Sequence, residues 1–397
     1  MSNEINTNPT VLWLTSWYPD KLSPYNGDFV RRHAEAVSSY MNVSVIHVVR
    51  DFSGKVTKDV TTEYYKSGNL EEIIIYYYIP PARIKLYEKY LSVRMYKRLY
   101  KQALEKLLSE KKTVSLAHLH VGMKAGLAAL WLKEKKNIPF VVTEHWGGFL
   151  NEADEKYRDM LIITRWMWRK VFLKASAISS VSGCLLNAIS KIASISKLTV
   201  IPNVVNTEIF YPSPGKISKP AKFIHVSNLA RLKNPKAILT AFQKVKHLHP
   251  AAELAIFGSL NNEVIAFAES LGLINAVTFH AEVPQQVLAD NMRESVALVL
   301  YSDYETFGCV VIEANACGIP VIVSDIPVFH ETVKEGVNGF FAEPRNSDAL
   351  AERMLEIIKM RSSFDSDQIS NLTALKYSYP VIGKKITDWY QQVLKTN

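Results

Sequence analysis

The chain has 397 residues, of which 48% are hydrophobic, and its formal net charge at pH 7 is +9. This length is too great for one ordinary hydrophobic core, so we expect two domains of somewhat under roughly 200 residues each. No apolar run reaches the roughly 18 residues of a membrane-spanning helix, and the start of the chain is polar, which argues against a spanning segment or a signal peptide. We therefore expect a cytoplasmic protein.

Short β-rich runs alternate with helical stretches along the chain, the pattern of parallel sheets with crossover helices. The first half contains such runs at residues 11–15, 43–49, 73–79, 114–121, 138–143 and 177–182. A stretch containing Pro202, Pro212, Pro214 and Pro220 is interpreted as a linker whose residues pack little. The runs then resume at 222–227, 253–258, 276–280, 295–301 and 319–324, and a final helix is predicted from about Val381 to Leu394.

This alternation predicts an α/β protein with two successive doubly wound units. Ligands of such sheets bind beyond the carboxyl ends of the strands, so we expect a cleft there. The loop after the first strand contains Gly27 directly before an amphipathic helix. A glycine in this place lets the backbone approach an anion at the helix N-terminus, although a simple turn glycine has the same appearance.

Residues 83–112 carry most of the net charge, with ten Lys or Arg against three Glu. Tyrosines and leucines alternate with these charges, as in a helix that lies on an anionic surface. A membrane or a nucleic acid would provide such a surface. The alternative is a solvated helix face whose tyrosines pack on the core.

Three histidines lie at the ends of predicted strands, namely His118, His120 and His145. Clustered histidines can bind a metal, but no neighbouring Cys or Asp completes a ligand set, and we expect no metal site. The cysteines lie in apolar segments without ligand spacing, which predicts small buried side chains rather than disulfides or ligands. They are Cys184, Cys309 and Cys317.

The most informative segment is 302–325, where Glu313 stands alone among apolar residues after Glu305. Burying a carboxylate costs several kcal/mol unless it has partners. Phe307 and Gly308 precede the predicted helix, so both acids can face a ligand there. Carboxylates suit vicinal ribose hydroxyls, because each accepts two hydrogen bonds. A structural Glu313 and a hydrolase with paired carboxylates are the alternatives.

The spacing Glu305-x7-Glu313, followed by Ala-Asn-Ala-Cys-Gly-Ile-Pro-Val-Ile, resembles the donor-site signature of glycosyltransferase family 4, the retaining group 1 transferases of GT-B fold. Residues 200–212 resemble that family's domain junction, and residues 226–242 resemble the first strand, loop and helix of its C-terminal domain. The resemblance implies two Rossmann-like domains facing across a cleft. The acceptor domain would comprise residues 1–205 with the returning helix 379–397, and the nucleotide-sugar domain residues 206–378.

The resemblance also implies the site residues. Those expected to bind the donor are Gly27, Asn228, Lys233, Glu305, Thr306, Phe307, Gly308 and Glu313. In the family an Arg and a Lys bind the diphosphate; Lys233 matches the Lys, whereas Asn228 stands at the Arg position. Arg231 is a substitute that no motif match supports. His145 matches a family histidine near the transferred sugar, and His120 matches a second, less regular one.

The implied reaction is a retaining transfer of a hexosyl group from a UDP- or GDP-sugar to an acceptor hydroxyl, with catalytic roles for His145, Lys233 and Glu305. Neither metal nor cofactor is expected, since Lys233 and helix N-termini stabilise the leaving diphosphate. The basic segment and residues 163–174 suggest a lipid-linked saccharide acceptor at the inner membrane face, as in polysaccharide or surface-glycan synthesis.

Two other classes of protein remain as alternatives. One is a different GT-B enzyme, such as a nucleotide-sugar 2-epimerase or an α-glucan phosphorylase, although the chain is short for a phosphorylase. The other is a non-enzymatic basic protein that binds membranes or RNA, which would leave Glu313 and the glycine loops unexplained; for a transferase, we expect no nucleic-acid partner.

Overall fold

The computed structural model describes residues 9–110, 113–193, 197–213 and 220–396. The chain divides into two compact units. Unit 1 comprises Met1–Val204 with Tyr379–Asn397, and unit 2 comprises Val205–Ser378. Unit 2 is therefore inserted into the sequence of unit 1. The predictions that concern residues 1–8, 111–112, 214 and 397 lie outside the described residues.

Unit 1 is built on an eight-stranded sheet. Its strands are β1 (Thr10–Thr15), β2 (Asn42–Arg50), β3 (Val60–Ser67), β4 (Leu70–Tyr77), β5 (Val114–His120), β6 (Phe140–Glu144), β7 (Ala177–Ser180) and β8 (Leu198–Val200). They follow the order β3-β4-β2-β1-β5-β6-β7-β8, in which β3 runs antiparallel to β4 and the other neighbours are parallel. Each predicted run of the first half overlaps a strand. The sequence missed β3, which is mostly exposed, and the short β8.

Helices connect the parallel strands of unit 1. They are α1 (Asp28–Ser38), α2 (Lys85–Ser109), α3 (Gly126–Lys136), α4 (Ile162–Lys174) and α5 (Gly183–Ser190). Buried apolar strand residues and the inner faces of these helices form the core, because an amphipathic helix gains most of its stability by burying its apolar face.

Unit 2 contains a six-stranded parallel sheet in the order β11-β10-β9-β12-β13-β14. These strands are β9 (Lys222–Val226), β10 (Glu253–Phe257), β11 (Val277–His280), β12 (Ala297–Leu300), β13 (Val321–Ser324) and β14 (Gly339–Ala342). Its helices are α6 (Pro235–Leu248), α7 (Asn262–Ser270), α8 (Gln285–Arg293), α9 (Cys309–Ala316), α10 (Ser347–Met360) and α11 (Ser366–Tyr377). Five of these strands match predicted runs, and β14 was missed.

The last helix, α12 (Tyr379–Lys395), belongs to unit 1 and packs against α1. A Cβ at Gly383 would lie 2.3 Å from the carbonyl oxygen of Ala36, so glycine is needed for the two helices to approach this closely. The hydroxyl of Tyr379 donates a hydrogen bond of 2.8 Å to Glu35. These contacts fix the returning chain to unit 1.

The two ends of unit 2 lie beside each other. Val205 forms a parallel bridge with Ser378, and its N–H donates to the carbonyl of Tyr377 over 2.8 Å. The prediction that residues around Pro202 pack little is wrong for the start of the stretch, because apolar side chains there are buried, and Ile201 and Val204 belong to the core of unit 1. At most 1% of the surface is exposed for Ile201, Val204, Val205 and Phe210.

The three cysteines are free thiols. Cys317 is buried as predicted, whereas Cys184 and Cys309 are half-buried, because each lies in the first turn of a helix. No helix within the described ranges is both long and apolar enough to cross a bilayer.

Candidate functional site

In unit 2 the loops that follow the neighbouring strands β9 and β12 are joined by hydrogen bonds. The N–H of Asp303 donates to the carbonyl of Leu232 over 2.8 Å. Asn234 donates from Nδ2 to Oδ1 of Asp303 over 2.8 Å and to the carbonyl of Tyr301 over 3.2 Å. Because these bonds tie the loops together, residues distant in sequence share one site.

This junction brings Lys233 and Glu305 together. The Lys233 ammonium forms a short ion pair with Oε1 of Glu305, and the two side chains are 18% and 12% exposed. The hydroxyl of Ser302 donates to the same carboxylate oxygen over 3.0 Å. Two residues selected from the sequence thus form one partly buried, hydrogen-bonded group.

Two exposed arginines lie beside Asp303 at the same loop junction. Nη1 of Arg231 is 4.0 Å from Asp303, and Nε of Arg345 is 3.9 Å from the other oxygen of the same carboxylate. Asn228 is exposed and accepts a hydrogen bond of 3.2 Å from the N–H of Ala230. Arg345 could not be selected from the sequence, because no motif marks the loop between β14 and α10.

A buried histidine shapes the loop that carries Lys233. His225 is bonded through Nδ1 to the carbonyl of Val299 over 2.8 Å and through Nε2 to the hydroxyl of Ser227 over 2.7 Å. Ser227 in turn accepts the N–H of Leu229 over 3.1 Å, and Leu229 has a left-handed φ of 53°. Burial lowers the pKa of His225 to about 4. This neutral histidine is a positioning residue that the sequence analysis missed.

The N-terminus of α9 borders the same site. Gly308 caps the helix with a φ of 86°, and a Cβ there would lie 2.8 Å from Cε1 of Phe329. Thr306 is half-buried, and Phe307 is buried against the ring of Tyr377. The structure thus places Thr306, Phe307 and Gly308 in the loop that leads from Glu305 into the helix.

Glu313 lies further along α9 and is 2% exposed. It has interactions within the protein, so its carboxylate is not an isolated buried charge. Burial of Glu313 on α9, the helix that follows the Glu305 loop, is compatible with both the ligand-binding and the structural interpretation.

In unit 1 the loop after β1 depends on Gly27. This residue caps α1 with a φ of 73°, and a Cβ there would lie 2.5 Å from the carbonyl carbon of Trp17 and 2.6 Å from the nitrogen of Tyr18. Only glycine fits this close approach of two backbone segments. The loop therefore folds back on itself directly before the N-terminus of α1.

Three buried histidines meet at the carboxyl ends of the neighbouring strands β5 and β6. His120 is the last residue of β5, His145 follows β6, and His33 lies on α1. A ring nitrogen from each lies within 4.8 Å of the others. Burial lowers the pKa of His33 to about 4 and those of His120 and His145 well below their ordinary range. All three are therefore neutral imidazoles.

His118 does not join this group. Its Nδ1 is hydrogen-bonded to the hydroxyl of Tyr390, and its Nε2 to the hydroxyl of Thr143 over 2.6 Å. Glu144 folds back to accept backbone N–H groups from Gly122, His145 and Trp146. Burial raises its pKa to about 7 despite these bonds. Glu144 thus forms the turn that directs His145 off the strand.

Two family models match the chain, one after the other. Residues 20–209 match the model described as glycosyltransferase family 4, and residues 206–372 match glycosyl transferases group 1.

The fold is similar to that of sucrose-phosphate synthase of Thermosynechococcus elongatus, with a TM-score of 0.78 at 18% identity over 98% of this chain and 100% of that chain. It is also similar to the Anabaena protein HepE solved with UDP and glucose, with a TM-score of 0.70 at 16% identity over 97% and 100% of the two chains.

The matches to curated relatives cover a smaller part of the chain than the matches to solved structures. N-acetyl-alpha-D-glucosaminyl L-malate synthase of Bacillus anthracis is 21% identical over 64% of this chain and 67% of its own. D-inositol 3-phosphate glycosyltransferase of Paenarthrobacter aurescens is 26% identical, but the match spans 42% of this chain and 44% of that protein. The two units, their mainly parallel sheets and these matches define a glycosyltransferase of GT-B fold. The chain belongs to the group 1 glycosyltransferases.

Proposed function

We propose that the protein transfers a hexosyl group, with retention of the anomeric configuration, from a nucleotide-sugar to a lipid-linked saccharide. The proposed binding of the nucleotide-sugar donor rests on one observation, the ion pair of Lys233 and Glu305 beside the N-terminus of α9. A donor diphosphate attracts the ammonium, and the helix N-terminus adds favourable partial charge. Glu305 then becomes available to accept hydrogen bonds from the sugar.

The leaving diphosphate gains negative charge during transfer, so the site must supply positive charge. Lys233 provides one charge, and the exposed Arg231 and Arg345 stand at the same loop junction. These groups compensate for the neutral Asn228 at the family's usual arginine position. We propose that this electrostatic stabilisation makes a divalent ion at the diphosphate unnecessary.

Two other side chains, Glu313 and His145, are proposed to bind the ribose of the nucleotide and the transferred sugar. The buried Glu313 accepts hydrogen bonds from both ribose hydroxyls. His145, which is neutral, orients the transferred sugar and stabilises its developing positive charge, with His120 beside it. A donor phosphate oxygen takes the proton of the attacking hydroxyl. The solved Anabaena protein with UDP-glucose favours a UDP-sugar among the candidate donors.

An apolar surface at the start of α4 supports a membrane-bound acceptor. Leu161, Ile162, Ile163 and Trp166 are 69%, 77%, 63% and 54% exposed, and α4 also carries basic residues. On α2, Tyr96 and Tyr100 pack into the core, as expected of a solvated helix whose tyrosines face inward. Near the start of the same helix, however, three apolar or aromatic side chains are more than half exposed, namely Leu86, Tyr87 and Tyr90. We propose that these exposed residues bind the anionic inner face of a membrane.

A thermal-shift titration with UDP, GDP, ADP and CDP, each with and without EDTA, tests the donor site. We expect the melting temperature to rise with UDP or GDP, to do so in EDTA, and to rise far less in Glu313→Gln. The exposed Glu269 on α7 provides a matched control, since Glu269→Gln should respond like the wild type. No rise with any nucleotide would contradict the proposed donor site, and an undiminished rise in Glu313→Gln would contradict the ribose assignment.

A further inference from the structure

Unit 1 contains a groove between α2 and α3. Its volume is about 230 Å³ and its walls are mainly apolar. Apolar and aromatic side chains from both helices line it, namely Tyr96, Tyr100, Leu104, Leu127, Ala128 and Trp131. A hydrocarbon chain that enters such a groove is stabilised, because its apolar surface is removed from water.

One polar group in the wall of this groove lacks a partner. Tyr96 is 7% exposed, and its buried hydroxyl has no hydrogen-bond partner within the described part of the chain. The hydroxyl of the neighbouring Tyr100, in contrast, is hydrogen-bonded to the backbone of Thr15 and Ile46. Because buried polar groups are almost always hydrogen-bonded, the Tyr96 hydroxyl indicates a ligand that carries an oxygen acceptor.

Three exposed lysines lie at the same groove. Lys97 and Lys101 contribute to its lining, and the ammonium of Lys136 lies 5.8 Å from the centre of the Trp131 ring. The pair of Lys101 with Glu105 is long, at 3.7 Å, and exposed, so it contributes little. Lysines place their stems along apolar surface and their charges in water. The arrangement therefore suits a ligand with an apolar chain and an anionic phosphate.

The face of α2 that lines the groove continues toward the start of the helix as an exposed apolar stripe. Leu86, Tyr90 and Val93 follow the helical spacing i, i+4 and i+7, and Lys97 and Leu104 of the groove continue it. The three residues of the stripe are 78%, 58% and 44% exposed. A chain longer than the groove would remain in apolar contact along this stripe.

The groove lies close to the strand ends at which we place the transferred sugar. Tyr100 is bonded to Thr15, the last residue of β1, and Thr15 pairs with His120 on β5. We propose that the groove binds the hydrocarbon chain of the lipid-linked acceptor, and that the three lysines and the Tyr96 hydroxyl bind its phosphate. This inference rests on the proposed function and specifies an acceptor whose chain is attached through a phosphate.

Isothermal titration with alkyl phosphates tests the groove without an activity assay. The probes are octyl phosphate below its micelle concentration, ethyl phosphate and octanol. Each buried methylene strengthens binding about fourfold, so one octyl phosphate should bind per chain, at least about tenfold more tightly than ethyl phosphate. Octanol should bind at least about tenfold more weakly than octyl phosphate, because it lacks the charge that the lysines bind.

Three variants locate the bound chain. Ala128→Phe fills the groove and should weaken octyl phosphate binding at least about tenfold, since fewer methylenes are buried. Ala103→Phe is the matched control and should bind like the wild type, because Ala103 lies on α2 but lines a separate cavity against β3 and β4. Tyr96→Phe should weaken binding about fivefold without lowering the melting temperature of the free protein, because it removes an unpartnered hydroxyl.

Each outcome decides the proposal. A wild-type protein that binds octyl phosphate no better than ethyl phosphate overturns it, and so does a loss of affinity in Ala103→Phe but not in Ala128→Phe. Unchanged affinity in Tyr96→Phe contradicts the placement of the phosphate. Loss of binding to anionic vesicles in Ala128→Phe would assign the groove to a membrane lipid and overturn the proposal too. The wild-type titrations and Tyr96→Phe decide the question even if Ala128→Phe fails to fold.

The nucleotide titration described above tests the proposed function separately. A protein that is stabilised by UDP or GDP but does not bind octyl phosphate remains a transferase without this groove site. A protein that binds octyl phosphate but no nucleotide has the groove site, and the proposed function then fails.

Discussion

Lys233 and Glu305 are 72 residues apart in sequence, yet their side chains form a direct ion pair in unit 2. Lys233 ends a short 3-10 helix after β9, and Glu305 lies in the loop after β12, the strand beside β9. The pair means that the Lys233 ammonium is already neutralised by a carboxylate. Under the proposed function, donor binding redistributes charge in a preformed group rather than recruiting a free lysine.

Replacing Lys233 by alanine should weaken nucleotide-diphosphate binding by about 2 kcal/mol, or about 30-fold. The variant loses a charged contact and leaves the Glu305 carboxylate to repel the diphosphate. Isothermal titration with UDP measures the effect. Lys236→Ala provides the control, since Lys236 pairs with Glu263 at the surface, where such pairs contribute little. Equal affinity in both variants would refute the role of Lys233.

Gly27→Ala should destabilise unit 1 by about 2–4 kcal/mol, because the new Cβ meets the backbone of Trp17 in addition to straining a left-handed residue. Gly68 is a matched control with a φ of 56° and nothing within 4 Å of its Cβ position. Gly68→Ala should cost only about 1 kcal/mol. Urea unfolding followed by tryptophan fluorescence measures both, because all seven tryptophans lie in unit 1. Equal losses would show that the backbone contact is unimportant.

The buried His225 should make unit 2 sensitive to acid. Its pKa falls from an ordinary 6.5 to about 4 in the folded protein, so folding favours the neutral form. The contribution of neutral His225 to the free energy of unfolding is fully present above pH 6.5 and is lost as the pH falls through 4. Over this interval the free energy of unfolding of the wild type should therefore fall by about 3 kcal/mol more than that of His225→Gln. Far-UV circular dichroism during urea unfolding follows both units, and tryptophan fluorescence, which reports unit 1 alone, separates the contribution of unit 2. Parallel pH profiles of unit 2 stability for the two proteins would contradict the prediction.

Replacing Ile162 and Ile163 by serine should reduce binding to anionic vesicles at least about tenfold, because both exposed side chains would lose their burial among lipid chains. Binding of the wild type should also weaken as salt is raised. Vesicle sedimentation measures both effects. Leu375→Ser on α11 is the control, since Leu375 is 72% exposed but lies in unit 2. Wild-type binding that is equal on neutral and anionic vesicles would contradict the electrostatic part.

Much of the fold could be predicted because central parallel strands are continuous apolar runs. The strands that were missed lack this signal: β3 is mostly exposed, and β8 has three residues. The Pro202 stretch was misjudged because prolines indicate loops but do not show whether neighbouring side chains are buried. Burial of Val205 and Phe210 depends on tertiary packing that no local pattern records.

Of the site residues, those in sequence motifs could be predicted, whereas those brought together only by the fold could not. Lys233, Glu305 and Gly308 could be selected from the sequence because each stands in a motif with fixed spacing. His33 could not, since a histidine on the buried face of an amphipathic helix has no local sign of its partners on β5 and after β6. Arg345 was hidden for the same reason, because its neighbour Asp303 follows a different strand.

The bridge between Val205 and Ser378 has a consequence for how such a chain can change over time. The first and last residues of unit 2 are neighbours, so residues 205–378 form a unit that is connected to unit 1 by two adjacent chain segments. Such a unit can be exchanged at these two segments without disrupting the core of unit 1. A recombination event at these two positions would combine one unit 2 with a new unit 1. With the donor bound by unit 2, as proposed above, donor and acceptor preferences could then evolve separately within one polypeptide.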